Sequence, residues 1–494
     1  MCGNARYIIM KSPSATLEDL AGLDQPLSRE QAERIADDPE LNILLLMKLS
    51  AEVVSLRAAT AQGANAPSSS VPAYAKETTP AGRRRRCKRG AKPGHTGRNR
   101  PQPPRIDRTE NHTLKNCPEC GGGVSPCQSS SSRRTRIVED IPKDIRAEVV
   151  EHVIQGCYCP RCKKIVEPKV ADALPGSRLG HRVCVLASWL HYGLGLSTSQ
   201  ILSVFNAHLN FPLSVGGLLG SAQRIANILT PWYDQIGEDA KQSGVLNADE
   251  TGWRVLGKTH WLWCFCSQSA TYYMIDRSRG GPALSRFFTE AFEGVLVTDF
   301  WKAYNCVECS ARQVCLAHLF RELDATSDED KSDEWRSFHK SLKRLLRDAV
   351  RLKEAESLDP INRASRRERL NVRLAALMLE VDTSHSSTIN TNVKRLVKRL
   401  RGYDGQFFTF LDHDGVPSDN NHAEREIRPA VIMRKNILCN QSEPGARTQA
   451  VLMTIFRTLR KRGLDPMTEV VKALRCYSVT GKLPPLPIIL QNDG

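Results

Sequence analysis

The strongest constraint on the fold is a change in hydrophobic period at residue 245. Before this point the apolar residues follow a helical spacing, and after it they form short runs rich in β-branched and aromatic residues, which are typical of strands. Three such runs, separated by turn residues, lie at 245–249, 261–265 and 271–275. A helical pattern at 282–292 and a fourth apolar run at 294–299 follow. The sequence therefore predicts an α/β domain in this region.

The order of these elements is that of a ribonuclease-H-like domain, which opens with three strands, a helix and a further strand. We predict this domain at 245–440, and helices with a tail at 441–494. Charged, Arg-rich sequence with a helical pattern interrupts the domain and predicts an α-helical insertion at about 325–410. At 494 residues the chain is long enough for about three domains. The predicted fold class is therefore multidomain α/β.

The first 110 residues have the composition of a helix followed by a linker. Residues 1–60 are predicted to be a helical segment, in which four apolar residues follow a heptad spacing: Leu46, Leu49, Val53 and Leu56. Two heptads are too few to establish a coiled coil, so an oligomerising helix and a helix packed on its own domain both remain open. Residues 61–110 are rich in Pro, Gly, Ser and Arg, which predicts a basic linker.

Residues 176–242 have a helical pattern broken by a short turn. Ser197 is a candidate N-cap for the first helix, and a second helical pattern begins after Ser214. Two helices joined in this way form either a helix-turn-helix that contacts DNA or a packed pair without DNA contacts. The sequence leaves both alternatives open.

Positive charge is concentrated in the linker. The whole chain has 70 Lys and Arg against 54 Asp and Glu, a net charge of +16. Ten Lys and Arg and no acid lie between Arg83 and Arg105, and the densest part consists of Arg83, Arg84, Arg85, Arg86, Lys88, Arg89 and Lys92. Such a segment predicts a polyanionic partner, nucleic acid before a membrane surface. The longest strongly apolar run, 43–47, is too short to span a membrane, so we expect an intracellular protein without a membrane partner.

Two CxxC pairs predict a structural zinc site. In a reducing compartment the 16 cysteines are better explained by metal binding or free thiols than by disulfides. Cys117 and Cys120 form one pair, Cys159 and Cys162 form the other, and 38 residues separate the pairs. Four thiolates complete a closed tetrahedral Zn²⁺ site. We therefore predict a small zinc ribbon at 111–170, in which a strand at 148–154 carries the second pair.

Other cysteines offer weaker metal patterns. Cys127 and Cys157 are alternative ligands for the same zinc. A second pattern combines two cysteines with a further Cys and His: Cys306, Cys309, Cys315 and His318. These four residues either bind a second zinc ion or are ordinary buried side chains next to strands.

Two acidic residues end predicted strands that lie side by side in a ribonuclease-H-like sheet. Asp249 ends the first strand and Asp299 ends the fourth, so we expect their carboxylates to point toward a shared position. In the segment 418–429, Asp419 or Asn420 can cap a helix whose first turns carry Glu424. Three carboxylates so placed can hold two Mg²⁺ ions for phosphoryl displacement. Taken singly, each acid also has a structural explanation, such as a turn cap or a surface ion pair.

These residues also resemble a known family. The motifs that carry the resemblance are 248–254, Thr298 and Asp299 with Ala303 and Tyr304, 315–318, 419–429 and 434–436. In this order they resemble the IS66-type insertion-sequence transposases, as do the two cysteine pairs and the basic segment 92–97. The resemblance implies a DDE transposase whose acidic positions are Asp249, Asp299 and Glu424. One departure is Phe300-Trp301 after the second acid, where the family has Gly-Tyr.

The resemblance implies a polynucleotidyl transferase that uses Mg²⁺, or Mn²⁺ in its place, together with structural Zn²⁺. Its partners would be terminal inverted repeats and target DNA, bound in a bacterial cytoplasm by at least a dimer, with small accessory proteins of the element. Four basic residues near the third acid are candidate phosphate contacts: Arg425, Arg428, Arg434 and Lys435. The helical insertion either covers the DNA or presents solvated charges. Two rival functions remain, a DNA-binding protein without catalysis and a nuclease without strand transfer.

Overall fold

A computed structural model describes residues 103–112, 114–125, 135–139, 145, 147–354, 360–383 and 390–488. The chain divides into two compact units, Met1–Thr135 and Arg136–Gly494. The predicted N-terminal helix, the basic residues from Arg83 to Lys92, and Cys127 lie outside the described residues. None of the helices in the described ranges combines the length and the apolar character that crossing a membrane requires.

In the first unit, the Cys117 pair lies on a tight hairpin. The Cys117 amide donates to the Gly122 carbonyl at 2.7 Å, and the Gly121 amide donates back to the Cys117 carbonyl at 2.9 Å. Gly121 has a φ of +74°, which a glycine adopts without the steric penalty of a side chain. This turn explains why glycines follow the second cysteine directly.

In the second unit, the other cysteine pair lies on a short antiparallel hairpin formed by β1, Cys157–Cys159, and β2, Lys164–Val166. The strand predicted at 148–154 is wrong, because the described residues there are not paired in any sheet. Val149 and Val153 are 93% and 89% exposed, so their alternation does not bury an apolar face. The two cysteine pairs thus belong to different units, and zinc binding by these cysteines stays a prediction.

A five-stranded mixed sheet forms the centre of the second unit, in the order β5-β4-β3-β6-β7. Its strands are β3 Val245–Val255, β4 Lys258–Cys266, β5 Thr271–Asp276, β6 Phe292–Thr298 and β7 Cys309–Val314. β3 pairs antiparallel with β4 and parallel with β6, and β6 pairs parallel with β7. The four predicted strands are confirmed, although β3 continues six residues beyond Asp249. β7 was not predicted.

Three helices precede the sheet: α1 His181–Ser188, α2 Thr198–His208 and α3 Val215–Lys241. The predicted N-cap is confirmed, because the Ser197 hydroxyl accepts from the Gln200 amide and the Gln200 side chain accepts from the Ser197 amide. Ser214 caps α3 in the same way, by accepting from the Gly217 amide. Whether this helix pair contacts DNA remains a prediction.

The helices of the predicted insertion cover one face of the sheet. α4, Gly281–Phe287, packs instead in the core on the other face, and it is shorter than the helix predicted at 282–292, because Phe292 already begins β6. The insertion consists of α5 Leu316–Glu329, α6 Asp333–Glu354, α7 Pro360–Thr383 and α8 Thr391–Gly402. Its buried leucines share one core with Val295 and Val297 of β6. These helices account for most of the residues described within the predicted 325–410, whereas 403–408 form turns and bends.

The opposite face packs against α3 and three C-terminal helices: α9 Asn421–Ile437, α10 Glu443–Lys461 and α11 Pro466–Thr480. Leu296 of β6 belongs to this second core, as the alternation of a strand requires. The hydroxyls of Thr454 and Thr458 on α10 accept the amides of Tyr273 and Thr271. α10 therefore covers the edge strand β5, which would otherwise present unpaired amides.

Candidate active site

The register of the parallel strands brings the first two predicted acids to equivalent positions. Asn247 of β3 pairs with Val297 of β6. Asp249 follows Asn247 by two residues, and Asp299 follows Val297 by two residues. Asp249 and Asp299 therefore lie on the same face, at the same level of the sheet, because side chains alternate along a strand. The Asp249 carboxylate accepts the Glu250 amide at 2.9 Å, and the Asp299 carboxylate accepts the Trp301 amide at 2.8 Å.

A buried asparagine attaches the start of α9 to β3. The Asn420 side chain donates to the Ala248 carbonyl at 2.7 Å and accepts from the Asn247 amide group at 2.9 Å. Its backbone amide donates to the Cys315 sulfur at 3.1 Å. Asn420 is the N-cap residue, and the Glu424 amide donates to its carbonyl at 3.1 Å. This contact places the first turn of α9 beside the residue that precedes Asp249.

Glu424, the third predicted acid, is in this first turn of α9. Its carboxylate accepts from the Arg321 guanidinium at 2.7 Å, and His318 Nε2 lies 3.7 Å from the same oxygen. Arg321 and His318 are both on α5. Glu424 is thus oriented by groups from the helix that follows β7, and not by Arg425 or Arg428 beside it in the sequence.

The electrostatics of the three acids show that they share one environment. Burial raises the pKa of Asp249 well above its usual range, and the charges of Glu250, Asp299 and Glu424 raise it further. Negative groups that disfavour one another's ionisation create a demand for a cation. Within the described residues, the ligand atoms of the three acids do not all lie within 4.8 Å of one another.

A second set of residues supports the strand end, and sequence reasoning missed it. Glu250 is buried and accepts from the Tyr304 hydroxyl at 2.6 Å and from Arg279 at 3.1 Å. Burial and then the charge of Asp299 raise the pKa of Glu250 to about 7. The Arg279 guanidinium lies between the rings of Trp261 and Trp301, 4.4 and 4.1 Å from their centroids. Trp301 at the departure from the family pattern therefore belongs to the support of Asp299.

The weaker metal pattern is rearranged in the structure. Within the described ranges, the His, Cys, Asp and Glu residues whose ligand atoms converge within 4.8 Å are Cys315, His318 and Glu424. Cys306 and Cys309 are not part of this group. The sequence pattern had paired Cys315 and His318 with the wrong partners, because the contact to Glu424 spans more than one hundred residues.

The basic residues around the third acid have different surroundings. Arg425, Arg428 and Lys435 are exposed on α9. Arg434 is half-buried, and it donates to the Gly252 carbonyl and to the Thr251 hydroxyl, the latter at 3.2 Å. Part of the hydrogen-bonding capacity of Arg434 therefore holds β3 against α9.

Each predicted zinc pair has a favourable local geometry. The Cys162 amide donates to the Cys159 sulfur at 3.4 Å. Hydrogen bonds from the backbone amides of Cys120 and Cys162 lower the pKa of Cys117 and of Cys159, respectively. Amides that stabilise a thiolate are typical of cysteine ligands.

Comparison with known families identifies the chain. The sequence model of the Transposase IS66 family matches residues 176–448, more than half of the chain. The chain belongs to the IS66 transposase family. The matched region contains Asp249, Asp299 and Glu424, and it does not include the two cysteine pairs.

Two relatives come from Sinorhizobium fredii, and both are uncharacterized proteins. One, y4qI, is 28% identical over 352 residues, which are 63% of this chain and 58% of that protein. The other, y4hP, is 24% identical over 405 residues, which are 74% of this chain and 71% of that protein. The alignment thus spans less than two thirds of y4qI. Neither relative assigns a role to an individual residue.

Proposed function

We propose that this member of the IS66 family is a DDE transposase with a ribonuclease-H-like catalytic domain. The strand order supports the proposal, since β3, β5, β6 and β7 of the five-stranded sheet run in one direction and β4, between β5 and β3, runs in the other. The observation that carries it is the placement of Asp249 and Asp299 at equivalent levels of two neighbouring parallel strands, with Glu424 in the first turn of the helix that Asn420 attaches to β3. Their positions come from strand register and from the Asn420 contact, so they do not depend on flexible loops.

The chemistry of these residues fits divalent magnesium. Mg²⁺ prefers oxygen ligands, and Asp249, whose pKa is raised by burial and by the charges of neighbouring acids that include Asp299 and Glu424, supplies one set of them together with these two acids. When bound, two such ions would stabilise the attacking and leaving oxygens of an in-line displacement at phosphorus. Asp249 and Asp299 would hold the ions from the sheet, and Glu424 would close the site from α9. Glu424 would exchange its contact with Arg321 for this role.

The other parts of the chain serve DNA binding and assembly in this proposal. Arg425, Arg428 and Lys435 are exposed and would contact phosphates near the cleaved bond. The cysteine pairs would hold structural Zn²⁺, and the basic linker would bind along the DNA backbone. The DNA would be the terminal inverted repeats and then a target, bound by at least a dimer with accessory proteins of the element.

The test uses purified full-length protein, Mg²⁺ and a labelled duplex with the inverted repeat that flanks the coding sequence. We expect nicking at the repeat end and a joined product when target DNA is added. Asp249→Asn, Asp299→Asn and Glu424→Gln should each reduce cleavage by about a thousandfold, or about 4 kcal/mol in activation free energy, while the duplex still binds. Glu293→Gln, an exposed acid on β6, is the matched control and should cleave normally.

Each outcome distinguishes the rival functions. Binding without nicking would support a DNA-binding protein without catalysis, and nicking without a joined product would support a nuclease. Normal cleavage by one of the three variants would remove that residue from the site. Loss of cleavage in Glu293→Gln as well would indicate a general structural effect instead of the loss of a ligand.

A further inference from the structure

A sulfur, an imidazole and a carboxylate converge beside the third acid. Cys315 directly precedes α5, His318 is in the first turn of α5, and Glu424 is in the first turn of α9. Their ligand atoms all lie within 4.8 Å of one another. His318 Nε2 also lies 3.7 Å from Glu424 Oε1.

The Cys315 sulfur is surrounded by backbone donors. It is fully buried, and it accepts the Asn420 amide at 3.1 Å and also the amides of Ala317 and His318. These amides are the hydrogen-bond donors that stabilise a thiolate ligand.

His318 has an unsatisfied nitrogen in the same place. Its Nδ1 is buried and has no hydrogen-bond partner within the part of the chain that the structure describes. In a neutral imidazole, one of the two ring nitrogens has a free lone pair. A buried nitrogen without a partner is costly, and a neutral imidazole is the form that binds a metal.

We propose that Cys315, His318 and Glu424 bind Zn²⁺ and that this zinc inhibits the transposase by withdrawing Glu424 from magnesium. This inference rests on the proposed function, because inhibition requires that Glu424 serves catalysis. Thiolate and imidazole ligands select zinc over magnesium, which prefers oxygen ligands alone. The Arg321 guanidinium would have to leave Glu424, and its side chain is 51% exposed and can turn into solvent.

Metal binding is tested first without DNA, by titrating the full-length protein with Co²⁺ and measuring the thiolate-to-cobalt absorption. We expect Cys315→Ser to bind one equivalent of Co²⁺ fewer at the thiolate band than the unmodified protein. His318→Gln should weaken the same site by at least about tenfold, the smallest effect typical of residues around a metal. Cys306→Ser, an exposed cysteine outside the cluster, is the control and should leave this equivalent in place. Equal binding by all four proteins would overturn the proposal.

Inhibition is tested separately, by measuring cleavage at fixed Mg²⁺ against increasing Zn²⁺ and relating each rate to the same protein's zinc-free rate. We expect Cys315→Ser and His318→Gln to need at least about ten times more Zn²⁺ for half-inhibition, and Cys306→Ser to match the unmodified protein. Unchanged zinc sensitivity in both variants would overturn the inhibitory role. If the unmodified protein does not cleave DNA, the proposed function fails, whereas the cobalt titration still decides whether the metal site exists.

Discussion

Asn420 should control the magnesium requirement of the reaction although we do not expect it to bind the metal. Its side chain is buried between β3 and α9, where it joins the Ala248 carbonyl to the Asn247 amide group. Asn420→Ala removes both hydrogen bonds and leaves the backbone contact to Cys315 in place. The first turn of α9 would then lose its attachment to the strand that carries Asp249.

The size of the effect follows from these contacts. The Asn247 side chain is left buried without its acceptor, and the Ala248 carbonyl loses a donor, which together cost about 2–4 kcal/mol. Residues that orient a metal ligand without touching the metal typically contribute about 10–100-fold in metal affinity, or about 1.4–2.8 kcal/mol. We therefore expect the Mg²⁺ concentration for half-maximal cleavage to rise by about 10–100-fold.

The assay is a Mg²⁺ titration of duplex cleavage, with circular dichroism to verify that each variant is folded. Asn421→Ala is the matched control. The Asn421 side chain bonds Asp419, two residues earlier, and not β3, so this substitution should leave the Mg²⁺ requirement unchanged. A folded Asn420→Ala variant with an unchanged Mg²⁺ requirement would refute the positioning role. An equal shift in Asn421→Ala would indicate a general disturbance of the loop before α9.

Three further predictions concern the core, pH and DNA binding. Leu296→Ala on β6 should cost about 2–5 kcal/mol, measured as lost hydrogen-exchange protection in the sheet. Burial lowers the pKa of His181, which contacts Ser478 at 3.0 Å. The contribution of His181 to stability is therefore present above pH 6.5 and is lost as the pH falls below that value. In urea unfolding, His181→Gln should abolish this loss. Replacing the exposed Arg425 and Arg428 on α9, which we expect to contact phosphates, by Gln should reduce the salt-dependence slope of DNA binding by about 1.8.

Local patterns were sufficient to predict the strands that carry the first two acids. Val245, Leu246 and the run from Gly294 are apolar and bounded by turn residues, and register then aligns Asp249 with Asp299. β7, in contrast, has the sequence Cys-Ser-Ala-Arg-Gln-Val, which lacks a strong apolar alternation. It lies at the edge of the sheet, where its Gln313 side chain bonds the Phe407 carbonyl and the Phe410 amide, so its stability comes from tertiary contacts.

The support of the site depends on contacts that no local pattern encodes. Glu250 contacts Arg279 and Tyr304, which are 29 and 54 residues away in the sequence. Asn420 was predicted only as an alternative helix cap, yet its side chain bonds β3, 172 residues earlier. At 148–154, in contrast, a local pattern predicted an element that does not form. The segment is not paired in a sheet of the described residues, and its valines are exposed. Alternation predicts a strand reliably only where a core exists to bury one face.

The charges around the three acids indicate why metal and DNA binding should depend on each other. Three carboxylates alone would repel a phosphate, and Arg321 partly neutralises Glu424. Two Mg²⁺ ions carry more positive charge than the three acids carry negative charge, so the loaded site would attract the DNA backbone. Arg321 would then be released from Glu424. Arg399 lies 5.4 Å from the centroid of the Phe300 ring, next to Asp299, and is a second positive charge close to the acids. In the proposed function, the basic residues of a chain with a net charge of +16 would retain the DNA, and the acidic centre would accept it only after binding metal.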